Sequence, residues 1–379
     1  MKQQLMAAGF VLFSFMLPLK ASAGTFGIDS IYVFGDSLSD TGNVFAASGQ
    51  TIPPPPYSQG RFSNGPIWIE ELAQKLELDS SPTLYTDVVN GATPKNGINF
   101  AFGGATTTSI NTVSPLLPGL QQQIGAFAQP LIQTNQKADS HGLYVLWAGA
   151  NDYLPTDADP NYFRPFTDTT QTINNLKTAV ASLASVGATN ILLVNLPDLG
   201  LTPRAQNFDP TLPVPNGTSQ ILSDLTEQHN EDLSKVIEDL DNVLAPDVKL
   251  ISFDVNSVLE DVIDRPSKYG FKEVTKPCLF DQSIPSCAID QSKQDEYLFW
   301  DGIHPTTTAH KIIGDRAFQT IAKSAQPVPE PSTALGTLGI GTLGAIAFMK
   351  YKRKKSLLTA TSQVPNVQST LTKKVKVGC

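Results

Sequence analysis

The chain has 379 residues, of which 41% are hydrophobic, so it can bury the core of one large domain or two ordinary ones. Two of its 27 Lys and Arg residues lie in residues 1–23 and eight follow Met349. Residues 24–349 therefore carry 17 basic side chains against 35 acidic ones, a net charge of −18. A phosphate backbone is bound by a basic face, so this balance argues against nucleic acid and acidic polymers as partners.

The first 23 residues have the pattern of an export signal. Lys2 precedes an apolar run at 5–19, and residues 21–23, Ala-Ser-Ala, supply a small-residue cleavage site before Gly24. The alternative is an N-terminal membrane anchor, for which about 15 apolar residues are short, since the hydrocarbon core is about 30 Å thick. We expect the mature chain to begin near Gly24 in an exported protein.

Strand-like and helix-like segments alternate between residues 25 and 325. Apolar runs predict five strands, at 31–34, 98–101, 143–147, 190–194 and 249–253. Apolar residues at three- and four-residue spacing predict helices at 66–76, 119–137, 170–186, 219–244 and 306–325. This alternation predicts one domain over residues 24–325, with a parallel sheet covered by helices on both faces. In such a sheet the functional residues follow the carboxyl ends of the strands.

A candidate nucleophile follows the first predicted strand. Residues 35–43, GDSLSDTGN, place Ser37 on the first turn after this strand. A serine hydroxyl becomes a good nucleophile when a positioned base takes its proton, and N–H groups at the start of a helix favour negative charge. The alternative is that this Gly-, Ser- and Asp-rich segment is only a capped turn.

A candidate base unit lies near the other end of the domain. Residues 300–305, WDGIHP, place Asp301 three residues before His304 and directly before a predicted helix. Such a carboxylate fixes the imidazole tautomer and stabilises the imidazolium that forms when the histidine takes the serine proton. The alternative is that His304 only caps the helix. The other histidines lack a comparable acidic partner and are expected to be structural: His141, His229 and His310.

Two further strand-end segments contain candidate donors for an oxyanion. Residues 99–105, NFAFGGA, offer the N–H of Gly103, and residues 147–152, WAGAND, offer the side-chain amide of Asn151. With the N–H of Ser37, these groups would form a three-donor oxyanion hole. Each segment alone is typical of an ordinary turn.

Together the four segments resemble the GDSL hydrolases of the SGNH superfamily, whose named residues Ser, Gly, Asn and His are matched by Ser37, Gly103, Asn151 and His304. The resemblance extends over residues 28–322 and includes NLPDLG at 195–200. It implies a flavodoxin-like three-layer α/β/α fold with five parallel strands and hydrolysis of carboxylic esters. It also implies a triad of Ser37, His304 and Asp301 that needs no metal or cofactor. The loop at 39–64, with its proline run and Tyr57, is expected to shape the substrate entrance.

Three cysteines occur in the chain. Cys278 and Cys287 are nine residues apart in a loop-like stretch, and in an oxidising compartment we expect them to form a disulfide that staples this loop. Cys379 has no assigned role.

The C-terminal segment carries a second membrane signal. Residues 333–349 contain no charge and are followed by five basic residues within 350–355. A basic flank stays in the cytoplasm, so a membrane span at 333–349 would leave the catalytic domain outside. The alternative is a buried, Gly-rich core helix.

The same segment, 326–355, resembles the PEP-CTERM sorting signal of exopolysaccharide-making bacteria. Pro329-Glu330-Pro331 precedes the apolar span and the basic cluster, in the order that this signal requires. The resemblance implies a sorting protease as a partner. The polar tail at 356–379 departs from the pattern, so a plain tail anchor is the alternative.

These observations predict an exported serine esterase or lipase that hydrolyses small-molecule or lipid esters through an acyl-Ser37 intermediate. It would be anchored at the membrane or cell surface, or released by cleavage. One alternative is an O-acetylesterase of exported polysaccharide, suggested by the sorting signal. Another is a catalytically silent surface or matrix-binding protein, because a fold alone does not determine a function.

Overall fold

The computed structural model describes residues 26–325. The predicted export signal, membrane span, basic flank and tail lie outside these residues. Within them, the main sheet has six strands in the order β2-β3-β1-β4-β5-β6, and every neighbouring pair is parallel. Its strands are β1 (Ser30–Gly35), β2 (Thr83–Leu84), β3 (Gly97–Asn99), β4 (Gly142–Trp147), β5 (Asn190–Val194) and β6 (Lys249–Phe253).

The central strands are apolar along their whole length because both faces of the sheet are covered. All six residues of β4 are buried, and β4 pairs with β1 over six positions and with β5 over four. The three-layer arrangement predicted from the resemblance is therefore present. The sheet has one strand more than predicted, since the two-residue β2 pairs with β3 at its edge.

Eleven α-helices occur in residues 26–325. One hydrophobic cluster lies between one face of the sheet and α2, α8 and α11, and a second lies between the other face and α4, α6 and α7. The bounds are α1 (Asn43–Ala47), α2 (Trp68–Lys75), α3 (Tyr85–Val89), α4 (Leu120–Thr134), α5 (Ala150–Tyr153), α6 (Thr170–Ser185), α7 (Thr218–Asp241), α8 (Val255–Asp264), α9 (Pro266–Tyr269), α10 (Gln291–Gln294) and α11 (Thr307–Ser324).

The chain order of the five longer strands places the site. Without the edge strand β2, the sheet has the flavodoxin-like order, in which the chain crosses from one side of β1 to the other between β3 and β4. Ligands bind at such a crossover, beyond the carboxyl ends of the strands. A separate two-stranded parallel sheet, β7 (Glu273–Pro277) and β8 (Tyr297–Phe299), precedes the segment that carries His304. None of the helices in residues 26–325 has the length and apolar character to cross a membrane.

Candidate active site

The turn after β1 presents Ser37 at the carboxyl end of the sheet. A side chain at Gly35 would collide with the carbonyl oxygen of Trp147 at 2.1 Å, so glycine permits the close approach of β1 and β4. The carbonyl of Asp36 accepts the N–H groups of Ser39 and Asp40, each at 3.0 Å, and this closes the turn. Ser37 itself is 8% exposed.

Ser37, His304 and Asp301 form a continuous chain of hydrogen bonds. The Oγ of Ser37 lies 2.7 Å from Nε2 of His304, and Nδ1 of His304 lies 2.7 Å from Oδ2 of Asp301. An ionised carboxylate can only accept, so Nδ1 carries the imidazole proton and Nε2 is left to accept the serine hydroxyl. The geometry brings together the three residues that the sequence predicts as nucleophile, base and orienting carboxylate.

Asp301 is held in its ionised form. Burial raises the pKa of this carboxyl, but His304 and the hydrogen bonds from His304, Tyr57 and the N–H of Ile303 outweigh burial and lower the pKa to about 2. Its Oδ1 accepts the N–H groups of Ile303 at 2.8 Å and of His304 at 2.7 Å. The chain from Asp301 to His304 therefore forms a compact loop around the carboxylate of Asp301.

The N–H of the expected oxyanion donor Gly103 already has a hydrogen-bond partner within the protein. Its N–H already donates to Oδ2 of Asp40 at 2.9 Å. The next residue, Gly104, lines the same cavity as Ser37 and Asn151, and its N–H makes no hydrogen bond within the described part of the chain. With a φ of +75°, Gly104 adopts a left-handed conformation that glycine takes without strain.

Asn151 lies in α5, directly after β4. Its Nδ2 donates to the carbonyl of Ala105 at 3.1 Å, which uses one of its two amide hydrogens, and the side chain lines the cavity beside Ser37 and His304. Ser37, Gly104 and Asn151 thus line one cavity.

The GDSL-like Lipase/Acylhydrolase family matches residues 31–317, which is well over half of the chain. The chain belongs to this family. A PEP-CTERM protein-sorting motif matches residues 327–354, beyond the GDSL domain.

Curated relatives of this GDSL protein are similar over most of their length. A GDSL esterase/lipase of Arabidopsis thaliana is 28% identical over 334 residues, covering 79% of this chain and 87% of the relative. A phosphatidylcholine-sterol acyltransferase of Aeromonas hydrophila is 26% identical over 351 residues, covering 79% and 92%. Among solved structures, a catalytic mutant of an acetylxylan esterase from Geobacillus stearothermophilus matches with 13% identity and a TM-score of 0.37, covering 80% of this chain and 96% of that one.

Asp40 organises the backbone around the GDSL turn. Its carboxylate accepts the N–H groups of Gly42 at 2.8 Å, Asn43 at 2.6 Å, Val44 at 3.1 Å and Gly103 at 2.9 Å. Burial raises the pKa of Asp40 to about 6 in spite of these donors. Asp40 lies within the GDSLSDTGN motif, but nothing in the motif indicates that its side chain has this role.

Asp152 fixes the backbone of the turn that carries Asn151 in a similar way. Its Oδ1 accepts the N–H of Thr107 at 2.8 Å, and its Oδ2 accepts the hydroxyl protons of Thr107 and Thr172. These bonds join the turn after β4 to the segment after β3 and to α6, so they hold Asn151 in place. Burial raises the pKa of Asp152 to about 6.

His229 and His310 are buried and are not part of the hydrogen-bond chain from Ser37 to Asp301. They have little tendency to take up a proton. Burial lowers the pKa of both His229 and His310 to about 3. His229 shares a hydrogen bond of 3.1 Å with the hydroxyl of Tyr153. Residues 26–325 contain no group of three or more His, Cys, Asp or Glu side chains placed to hold a metal ion.

The structure pairs Cys278 with Cys287, with their Cα atoms 5.5 Å apart. Both cysteines are buried in a small cluster with Tyr297 and Trp300. Since Trp300 directly precedes Asp301, the loop closed by the disulfide packs against the segment that carries Asp301. Cys379 lies outside the described residues.

Proposed function

We propose that this chain is an exported serine esterase or lipase that hydrolyses carboxylic esters through an acyl-Ser37 intermediate. The observation that carries the proposal is the buried chain of two 2.7 Å hydrogen bonds from Ser37 through His304 to Asp301. A nucleophile, its base and an orienting carboxylate in this relation are what acyl transfer requires.

In the acylation half, His304 Nε2 takes the Ser37 proton while Oγ attacks the ester carbonyl. The oxyanion that forms is stabilised by the N–H groups of Ser37 and Gly104 and by the amide of Asn151. His304 then gives its proton to the departing alcohol as the bond from carbon to alcohol oxygen breaks. Asp301 remains ionised throughout and stabilises the imidazolium.

In the deacylation half, a water molecule takes the place of the alcohol. His304 takes a proton from this water as it attacks the acyl-Ser37 carbonyl, and the same three donors stabilise the second oxyanion. The intermediate then collapses, His304 returns the proton to Ser37 Oγ, and the carboxylic acid leaves. The free enzyme is restored with no net change in its protonation.

Export is supported by three independent features. The PEP-CTERM motif, the signal pattern of residues 1–23 and the pairing of Cys278 with Cys287 all fit an extracytoplasmic, oxidising compartment. In this proposal the C-terminal segment anchors the enzyme at the membrane or cell surface, or is removed by a sorting protease. The sorting motif also supports the second candidate, deacetylation of exported polysaccharide by the same chemistry.

Substitution of the nucleophile tests the proposal. The full chain should hydrolyse p-nitrophenyl acetate and butyrate, and Ser37→Ala should lower kcat by at least about 10⁴-fold, because the nucleophile is lost while binding remains. A fluorophosphonate probe should label the wild type and leave Ser37→Ala unlabelled. Ser234→Ala, on the exposed face of α7, serves as the matched control and should behave as wild type. Full activity in Ser37→Ala would refute the assignment, and an unlabelled, inactive wild type would favour the silent surface protein.

A further inference from the structure

Two long segments beside the Ser37 cavity carry no charge. Residues 41–60 and 96–136 contain no Asp, Glu, Lys, Arg or His, although the whole chain has 35 acidic and 27 basic residues. Ile52 in the first segment and Val113 in the second line the same cavity as Ser37. This cavity is therefore bordered on one side by uncharged chain.

Four apolar side chains on or beside these segments are exposed. Leu116 is 91% exposed, Val89 on the neighbouring α3 is 66% exposed, and Ile52 and Val113 are each 38% exposed. Leu116 and Val89 line a second cavity, and only two residues separate Leu116 from Val113 at the Ser37 cavity. Asp87, the one charged residue of α3, does not line the second cavity. We call Ile52, Val89, Val113 and Leu116 the apolar rim.

The edge of the sheet at β6 has the opposite character. The uncharged segments accompany β1 and β3, whereas α7 precedes β6 and α8 follows it. α7 carries seven acidic side chains and one lysine. Acidic side chains from α7, α8 and the segment after β5 line one cleft: Asp198, Asp224, Glu227, Glu231 and Glu260. Burying such carboxylates in an apolar phase is costly, whereas the apolar rim can enter that phase without this cost.

We propose that the apolar rim is the surface with which the enzyme docks on aggregated lipid, so that the ester enters the Ser37 cavity from the lipid phase. This inference rests on the proposed function and names the physical state of its substrate. Grouped apolar side chains that are exposed mark interaction sites, and insertion into lipid requires apolar tips but no ion pairs. The acidic edge at β6 would be repelled by anionic headgroups and would stay in water.

A fluorophore at the tip of the rim tests this contact directly. In the full chain with Cys379→Ser, Leu116→Cys is labelled with an environment-sensitive dye, because Cys278 and Cys287 are paired and buried. On addition of phosphatidylcholine vesicles, the emission should move to shorter wavelength as the dye enters the acyl region. The dye reports only its own position, so lipid bound elsewhere on the chain does not produce this shift.

The matched control for the dye is Ile221→Cys, which replaces an apolar side chain that is 60% exposed on the acidic α7. Its emission should not change when vesicles are added. No shift at Leu116→Cys, or equal shifts at the two positions, would overturn the proposal.

The rim should also affect activity on aggregated substrate. Tributyrin is hydrolysed as dissolved monomers below its solubility limit and as droplets above it, and the wild-type rate should rise where droplets form. Leu116→Asp should lower the ratio of droplet to monomer activity by about tenfold or more, since burial of a leucine side chain contributes at least about tenfold to affinity. Val89→Asp is a second rim variant with the same expected direction, and Ile221→Asp should keep the wild-type ratio.

These measurements separate the docking surface from the proposed function. Activity that persists in Ser37→Ala would defeat the proposed function. A dye shift at Leu116→Cys in the Ser37→Ala background would support the surface without any catalysis. Ser37-dependent activity that does not rise when droplets form, with an equal ratio in wild type and both rim variants, would defeat the docking surface alone.

Discussion

The hydroxyl of Tyr57 donates a hydrogen bond of 2.5 Å to Oδ2 of Asp301, the same oxygen that accepts from His304 Nδ1. The two residues are 244 positions apart in the sequence. Tyr57 is held by edge contacts of its ring with Phe62 and Trp300. The loop at 39–64 therefore contacts the carboxylate of Asp301, and it also lines a cavity together with Ser37 and His304.

The variant Tyr57→Phe tests this contact. The variant keeps the aromatic ring but removes the hydroxyl that donates to Asp301. Without this donor the carboxylate attracts the imidazolium of His304 more strongly, but its position is fixed less firmly. A hydrogen bond to a charged group contributes about 1.5–3 kcal/mol, and we expect kcat to fall by about tenfold with a smaller change in KM. Because the Tyr57 hydrogen bond helps to lower the pKa of Asp301, this pKa should rise in the variant, and activity should be lost at a higher pH on the acidic side of the kcat/KM profile.

A purely structural role for Tyr57 would lower thermal stability and leave the shape of the pH profile unchanged. The pH dependence of kcat/KM, measured on the wild type and Tyr57→Phe, therefore decides between the two roles. Tyr162→Phe, a tyrosine outside the site, should match the wild type in both measurements.

Asp36 should make the free energy of unfolding depend on pH. Burial raises its pKa from 3.8 to about 7, although the N–H of Leu38 and the charge of His304 lower it in part. Between about pH 4 and pH 7 the folded state thus holds a proton that the unfolded chain has released. The free energy of unfolding should fall as the pH rises through this window, by up to about 4 kcal/mol from this group.

The variant Asp36→Asn should lack this contribution. The amide oxygen can still accept the N–H of Leu38, which lies 3.0 Å from Oδ1 in the wild type, and no charge is buried at high pH. Urea unfolding at pH 4 and pH 8 should show the variant gaining stability relative to wild type at pH 8. Asp239→Asn, on the exposed face of α7, is the control, and an equal pH dependence in wild type and Asp36→Asn would contradict the prediction.

The disulfide should stabilise the loop that packs on Trp300. In the chain-entropy model, a link between residues nine positions apart contributes about 2–3 kcal/mol. The double variant Cys278→Ser/Cys287→Ser should lose this amount in denaturant unfolding, with a smaller fall in kcat. Reduced wild type should unfold like the double variant. Identical unfolding of oxidised and reduced wild type would show that the link contributes nothing.

The long strands could be predicted because burial on both faces leaves an apolar run, as in β4. The shorter elements leave weaker patterns. β2 is only two residues long. In β7, most side chains are half-buried, and apolar and polar residues do not alternate regularly. Neither strand therefore has an apolar run that could be detected in the sequence. In α8, the buried residues Val255, Leu259 and Val262 have the four- and three-residue spacing of a helix. No helix was predicted there, although the sequence contains this pattern.

The sequence also could not show which backbone N–H groups are available at the candidate site. The local motifs indicated Ser37 and the pair of Asp301 and His304 as separate candidates, and the resemblance to the GDSL hydrolases joined them as one predicted triad. Two adjacent glycines follow β3, and nothing in their sequence indicates which N–H is taken by a carboxylate from another segment. The bond from Gly103 to Asp40 joins residues 63 positions apart, so only the folded chain reveals that Gly104 faces the site.

Asn151 is expected to stabilise the oxyanion with the amide hydrogen that Ala105 does not use. The variant Asn151→Ala should lower kcat by about 10²–10³-fold with little change in KM, because this bond strengthens as charge develops on the carbonyl oxygen. The triad distances do not depend on this side chain, so a fluorophosphonate probe should still label Ser37, at a reduced rate. Asn174→Ala, exposed on α6, is the matched control and should retain wild-type kcat. A rise in KM with unchanged kcat in Asn151→Ala would instead assign this amide to substrate binding in the ground state.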